Sequence, residues 1–230
     1  MNLNKFALVT GLLASGISFD SMFASATQAV TIGSGTDGNC LPFSCSPNLN
    51  VVRYQQVYSS SAFSGPLSFN NINFFLYQDG LVNPTNLTIS FSTTSKAVNG
   101  LDSNPNNNVG VDNSVFGTFS ESGLLSSNLS FTGNIFNYDP TQGNLLMDIS
   151  NISGTNNGSN AFNQSGISGT VTSRTYQNIG SSVANVDSVG LITNFNNVAT
   201  AVPEPFTIIG TLVGGTAALR MRKKLKASAD

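Results

Sequence analysis

The chain has 230 residues with no histidine and no tryptophan, and only 9% of them are charged. The absence of histidine excludes Ser-His-Asp, Cys-His and histidine-metal sites. Between positions 27 and 201 the only basic residues are Arg53, Lys96 and Arg174, against eight acidic ones. Such an acidic body has no basic patch to neutralise phosphates, so the composition argues against nucleic acid as a partner.

The N-terminus has the pattern of a secretory signal peptide. Lys5 precedes an apolar run over 6–17, and the small residues that follow offer alternative cleavage sites after Ala26 and Ala29. The alternative, an N-terminal core helix, is disfavoured by the glycines inside the run. We therefore expect a signal helix within 1–26 and a single exported domain over 27–201.

Cys40 and Cys45 are the only cysteines, and both follow the predicted cleavage site. The oxidising cell exterior favours a disulfide between them, which would close a small N-terminal loop. A free pair or half of a metal site are the alternatives, although no further cysteine and no histidine could complete four ligands.

The body is rich in Asn, Ser, Thr, Gly and Phe and has no long stretch with helical periodicity, which predicts an all-β fold. Eight to ten short strands with regular turns are typical of a β-sandwich, with a jelly-roll as one arrangement, and the phenylalanines would form its core. The strand candidates are Val51–Tyr58, Ile72/Phe74/Leu76, Leu87–Ser92, Val115–Phe119, Leu129/Phe131, Leu145/Met147/Ile149, Ile167–Arg174 and Val189–Phe195.

Turn and loop signals separate these strands. Asp79-Gly80 predicts a hairpin turn, and Asn99-Gly100 and Asn157-Gly158 predict further turns. Two longer stretches, 102–113 and 154–163, are typical of loops.

The first of these loops contains a calcium candidate. Asp102, Asn104, Asn106 and Asn108 alternate and offer the oxygen ligands that Ca²⁺ prefers. The match to a calcium loop is poor, because the sharp-turn glycine and the bidentate glutamate are missing. A solvated Asn-rich loop without a cofactor is the preferred interpretation.

The residue types in the sequence give little support for catalysis. Two carboxylates would suffice for glycoside hydrolysis, and Asp139 and Asp148 are the candidates, but both lie beside turn or strand-end signals where Asx caps are common. A carbohydrate-binding module is the nearer alternative, using exposed Tyr54, Tyr58, Tyr77 or Tyr176 with Asn side chains. The first hypothesis is a non-enzymatic protein.

The C-terminus combines three features in order. Pro203-Glu204-Pro205 predicts a stiff, exposed spacer, because prolines cannot continue a helix or a central strand. An uncharged run over 206–219 follows, long enough for a marginal membrane helix of about 21 Å. A basic cluster follows, and we expect it to stay on the cytoplasmic side of the membrane. It consists of Arg220, Arg222, Lys223, Lys224 and Lys226.

This order over 202–226 resembles the PEP-CTERM sorting signal of bacterial proteins, and segments between Val51 and Ile149 resemble exported PEP-CTERM proteins of cyanobacteria. The resemblance implies that an exosortase recognises Pro203, Glu204 and Pro205 and cuts nearby. The body would then pass from a transient membrane-held precursor to the cell surface or extracellular matrix, where extracellular polysaccharide is a candidate partner. An uncut single-pass anchor is the alternative.

Overall fold

A computed structural model describes residues 29–43, 50–154, 161–164 and 170–198. Their regular structure is almost entirely β, with single-turn 3-10 helices at Ser60–Ala62 and Pro105–Asn108. The strands are β1 (Val30–Ile32), β2 (Asp37–Asn39), β3 (Val51–Tyr58), β4 (Leu67–Phe74), β5 (Leu76–Gln78), β6 (Gly80–Thr94), β7 (Ser114–Leu125), β8 (Leu129–Tyr138), β9 (Asn144–Gly154), β10 (Ala161–Gln164), β11 (Thr172–Asn178), β12 (Asn185–Asp187) and β13 (Thr193–Asn197).

Among the described residues, all strand pairs are antiparallel, and the strands form three sheets. The largest has the order β12-β11-β3-β9-β6-β7, and the second has the order β1-β13-β4-β8. A short third sheet has the order β2-β10-β5. The predicted all-β, sandwich-like fold is therefore confirmed, whereas the two predicted flanking helices lie outside the described residues.

The core lies between the two larger sheets, and half of the residues in its main buried cluster are aromatic. The Phe69 ring of β4 packs edge-on at 4.9 Å from Phe91 of β6 and from Phe195 of β13. Edge-to-face contacts of this kind add to the gain from burying large apolar surface. Most phenylalanines of the body are core residues, as predicted, and the buried ones are Phe43, Phe63, Phe69, Phe74, Phe91, Phe116, Phe131, Phe136, Phe162 and Phe195.

Several strand predictions are confirmed in detail. The predicted strand Val51–Tyr58 coincides with β3. Leu87, Ile89 and Phe91 share the inward face of β6, as period-2 alternation requires. On β9 the same alternation buries Leu145, Met147 and Ile149 in the main core.

Other predictions were wrong. Asp79-Gly80 does not join a hairpin, because β5 pairs with β10 and β6 pairs with β7 and β9. The strand predicted over Val189–Phe195 begins only at Thr193, and part of the predicted loop 154–163 is strand β10. Within the described residues, the strand predicted over Ile167–Arg174 begins at Thr172 and continues to Asn178.

The loop between β6 and β7 covers part of the outer face of the six-stranded sheet. Leu101 of this loop packs with Val57 of β3 and Leu146 of β9 in a second, smaller core. The predicted Asn99-Gly100 turn is confirmed, with Asn99 in the left-handed region at φ 63°. Because both faces of β3 are covered, its sequence does not alternate between apolar and polar residues.

Within the described ranges, we find no helix with the length and apolar character that a membrane crossing requires.

Candidate functional site

The predicted sorting signal, 202–226, lies outside the described residues, and so does Cys45. Cys40 follows β2 directly and is partly buried. The disulfide and the sorting roles of the proline-acid-proline triplet and the basic cluster therefore stay predictions.

The start and the end of the described domain lie on adjacent strands of the four-stranded sheet. β1 is the edge strand of the four-stranded sheet and pairs with β13, with Val30 opposite Phe195. Immediately after β13, the Val198 N–H donates to the Ser68 carbonyl at 2.7 Å. The chain that leads to the predicted sorting signal thus leaves from a position that backbone hydrogen bonds hold in place.

The oxygens of the calcium candidates are directed at backbone groups and side chains of the protein. Asp102 Oδ1 accepts from the Asn104 N–H at 2.8 Å, and Asn104 Oδ1 accepts from the Asn106 N–H at 3.1 Å. Asn106 Oδ1 accepts from Arg53 at 2.7 Å. The first two are the local bonds of Asx turns and a helix cap, and the third joins the loop to β3, so the alternating pattern is explained without a cation.

Asn108, the fourth member of the pattern, is a buried anchor for the loop. Its Oδ1 accepts from the Asp102 N–H at 2.7 Å, and its Nδ2 donates to Gln55 Oε1 at 2.8 Å. The Asn104 N–H beside Asp102, together with the Asn107 amide, holds the pKa of that carboxyl below its usual range. Within the described residues, no three Asp, Glu or Cys side chains form a group suited to a metal ion.

Each carboxylate proposed for glycoside hydrolysis already has a structural partner. Asp148 on β9 forms a two-pronged ion pair with Arg53 of β3, at 3.0 Å from Nε and 2.6 Å from Nη2. Asp139 caps the turn after β8 by accepting from the N–H and the hydroxyl of Thr141, which lowers its pKa. A depressed pKa suits a cap and is the opposite of what a general acid needs.

The four candidate tyrosines do not form an exposed platform. Tyr54 and Tyr58 were expected at the surface in the carbohydrate-binding alternative, but both are fully buried, and burial raises their pKa values. Tyr54 donates to Gln56, and Tyr58 hydrogen-bonds Thr193. Tyr77 is exposed on β5, and Tyr176 is partly buried on β11 beneath the Arg174 guanidinium. Stacking on Tyr54 or Tyr58 is therefore excluded.

Sequence reasoning missed the polar outer face of the four-stranded sheet. Here Asn, Ser and Thr side chains from adjacent strands lie opposite one another, for example Asn194 beside Asn73 and Asn71 beside Thr132. The side chains that define this amide face are Thr31, Ser68, Asn71, Asn73, Ser130, Thr132, Asn137, Asn194 and Asn196.

A lateral hydrogen-bond network fixes the amide face. Asn71 Nδ2 donates to Ser130 Oγ and Thr132 Oγ1, both at 2.8 Å. Its Oδ1 accepts from Asn73 at 3.0 Å and from Asn196. Asn71 thereby uses both donors and both lone pairs inside the network, so it organises its neighbours and has no capacity left for a ligand.

The network continues to the edge strand. Asn73 donates to Asn194 Oδ1 at 3.3 Å, and Asn194 Nδ2 donates to Thr31 Oγ1 at 2.9 Å. At the opposite end, Ser68 donates to Asn137 at 2.7 Å. None of the residues of β1, β13, β4 and β8 is charged. The face is therefore a neutral array of amides and hydroxyls.

A sequence signal for this face exists in two segments. Asn71-Ile72-Asn73-Phe74 on β4 and Asn194-Phe195-Asn196 on β13 alternate asparagine with buried apolar residues. Alternation shows that the asparagines share one face of each strand. It does not show that β4 and β13 are neighbours, which is what brings the amides together.

No protein-family model, no curated protein and no solved structure matches this chain.

Proposed function

We propose that the protein is an exported, non-enzymatic component of the cell surface or extracellular matrix, sorted by an exosortase through its C-terminal signal. The observation that carries this proposal is the order of Pro203-Glu204-Pro205, the apolar run 206–219 and the basic cluster 220–226. The predicted N-terminal signal peptide supports it independently. The body would be a single sandwich domain, with a jelly-roll as its finer arrangement.

The position of β13 agrees with this role. Only residues 199–202 separate the last described residue, Val198, from Pro203. Fully extended, the five peptide steps from Val198 to Pro203 reach at most about 18 Å. In a membrane-held precursor, the β1–β13 edge of the sandwich would therefore stay close to the membrane surface until the tail is cut.

A non-enzymatic body is supported by what the candidate carboxylates do. Asp148 is held by Arg53, and Asp139 caps a turn. The purified protein should therefore release no reducing sugar from polysaccharide substrates. Turnover that disappears in Asp139→Asn or in Asp148→Asn would overturn the non-enzyme assignment and favour a glycosidase.

The sorting step is tested by two variants of the full chain. A variant that ends at Ala201 should appear in the medium, whereas the intact chain should first be recovered with the membrane. A Pro203→Ala/Pro205→Ala variant keeps the apolar run and the basic cluster, so it should accumulate in the membrane at full length. Processing of that variant at the wild-type rate would show that the triplet is not recognised.

A further inference from the structure

The amide face offers hydrogen-bonding groups that its internal network leaves available. Ser130 Oγ and Thr132 Oγ1 each accept from Asn71, so each keeps its own O–H as a donor. Thr31 Oγ1 accepts from Asn194 in the same way. These three hydroxyls are on exposed residues, so their donors can reach a ligand.

We propose that the amide face binds a neutral polysaccharide. This inference rests on the proposed export to the surface or matrix, and it names the surface and the class of partner. A sugar polymer carries hydroxyls that both donate and accept, and amides and hydroxyls are the side chains that match both without ionising. A regular sheet surface repeats them about every 4.8 Å across strands and about every 6.7 Å along a strand, which suits an extended chain.

The network also prepares the face for binding. An isolated surface asparagine loses rotamer freedom when it binds, and that loss weakens binding. Asn71, Asn73, Asn194 and Asn196 already hold one another in place. These side chains have therefore lost much of their rotamer freedom on folding, before any ligand binds.

Charge and polarity distinguish this partner from others. An anionic polymer would need cationic side chains, and the four strands of this sheet supply none. A second copy of the chain would be expected to need an apolar centre, because interface cores are depleted of polar groups. The positions that define the amide face are all polar, and the only exposed large apolar side chain on these four strands is Ile135 of β8, so a neutral polysaccharide fits better than either.

The test compares one variant of the amide face with a matched variant on the other sheet. Thr132→Val with Asn194→Asp removes one outward hydroxyl and adds one charge, while residue 194 keeps an oxygen that accepts from Asn73. The control, Thr118→Val with Asn86→Asp, makes the same two changes on the outer face of the six-stranded sheet. Asn86 is exposed, whereas Asn194 is partly buried, and the Asn86 oxygen likewise accepts a hydrogen bond, from Ser120.

The assay is retardation of the mature protein in native gels that contain a neutral β-glucan or a neutral galactomannan, with alginate as the anionic comparison. We expect at least one neutral polymer to bind the wild type. The face variant should bind it about tenfold more weakly, as the loss of one to two net hydrogen bonds predicts. The control variant should stay within about twofold of wild type, and 0.5 M salt should change binding little, since no charges pair.

Four results would overturn the proposal. Three concern polymer binding: no retardation by either neutral polymer, an equal loss of binding in the face and control variants, and binding that salt abolishes. The fourth is a concentration-dependent increase in the mass of the protein that the face variant abolishes. The last result would identify a second copy as the occupant. Thermal melting of each variant checks folding. Ser130→Ala, which removes one exposed hydroxyl, replaces the double variant if that variant melts early.

A negative result for polysaccharide binding can be distinguished from a negative result for the proposed sorting. A mature protein that lacks its tail but does not bind neutral polymers would contradict only the ligand of the amide face. A protein that binds them but keeps its tail would contradict only exosortase processing.

Discussion

Asn108 is a buried anchor of the loop between β6 and β7. It is buried and links Gln55 of β3 to both backbone groups of Asp102. Replacement by alanine leaves buried donors and acceptors without partners, which costs about 1–3 kcal/mol for such groups.

We therefore expect Asn108→Ala to lower the free energy of unfolding by roughly 2–3 kcal/mol, measured by urea denaturation. Asn107→Ala is the control, because the exposed Asn107 side chain donates to the Asp102 carboxylate and its backbone bond is kept in the variant, so it should cost about 0.5 kcal/mol or less. Equal losses in the two variants would show that Asn108 does not anchor the loop.

Glu121 on β7 gives the fold a pH-dependent penalty. Partial burial raises its pKa, so the folded state favours the protonated carboxyl. The stability that the protonated Glu121 carboxyl contributes is fully present below its pKa in the unfolded state, near 4.3. It is lost as pH rises through the raised pKa of the folded state. At neutral pH the ionised group therefore disfavours folding.

Glu121→Gln should raise the melting temperature at pH 7, and the gain should shrink towards zero near pH 3.5. Thermal melts of both proteins across this range measure the difference. A gain that is constant with pH would show that the ionisation of Glu121 is not the cause.

Among the elements, β7 and β8 are edge strands of the two larger sheets and pack closely against each other. A Cβ at Gly133 would lie 2.2 Å from the Phe116 carbonyl oxygen, and Asn134 Nδ2 donates to the Val115 carbonyl at 3.0 Å. Because the obstacle at Gly133 is backbone, a side chain there would force the two strands apart.

We expect Gly133→Ala to destabilise the protein by about 1–3 kcal/mol, the range typical of overpacking. Gly65→Ala is the matched control, since a Cβ at Gly65 would meet no atom within 4 Å. The test is to measure the free energy of unfolding of both variants. A Gly133→Ala variant as stable as the Gly65→Ala control would contradict the close approach of β7 and β8.

The N-terminal segment carries the disulfide prediction. β2 ends at Asn39, which is buried and accepts from Arg174 at 2.6 Å, so the chain just before Cys40 is held against β11. Cys40 and Cys45 should resist alkylation in the native exported protein and react after reduction. Full labelling without reductant would contradict the pairing.

How well the sequence predicts an element depends on whether nearby or distant residues determine it. Inward faces of β6 and β9 follow from local alternation, so Leu87 to Phe91 and Leu145 to Ile149 were predicted correctly. Pairing partners depend on distant segments. The Asp79-Gly80 signal is local and does not reveal that β10 pairs with β5, and β4 and β13, which together form most of the amide face, are over a hundred residues apart.

At the scale of the whole molecule, the pairing of β1 with β13 relates the fold to its proposed sorting. The two ends of the described domain lie on adjacent strands, β1 and β13, while the amide face extends across the sheet from β1 to β8. The same sheet would thus be tethered near the membrane before cleavage and display its polar face afterwards.

The most direct test of this account is the intact mass of the mature protein recovered from the cell surface. Trypsin is unsuitable because no Lys or Arg lies between Arg174 and Arg220, so the cleavage region would fall within one long peptide. We predict a mass that corresponds to a chain cut near Pro203-Glu204-Pro205, without any residue from Phe206 onward. A surface protein whose mass includes the apolar run and the basic cluster would contradict sorting by cleavage and leave an ordinary membrane anchor.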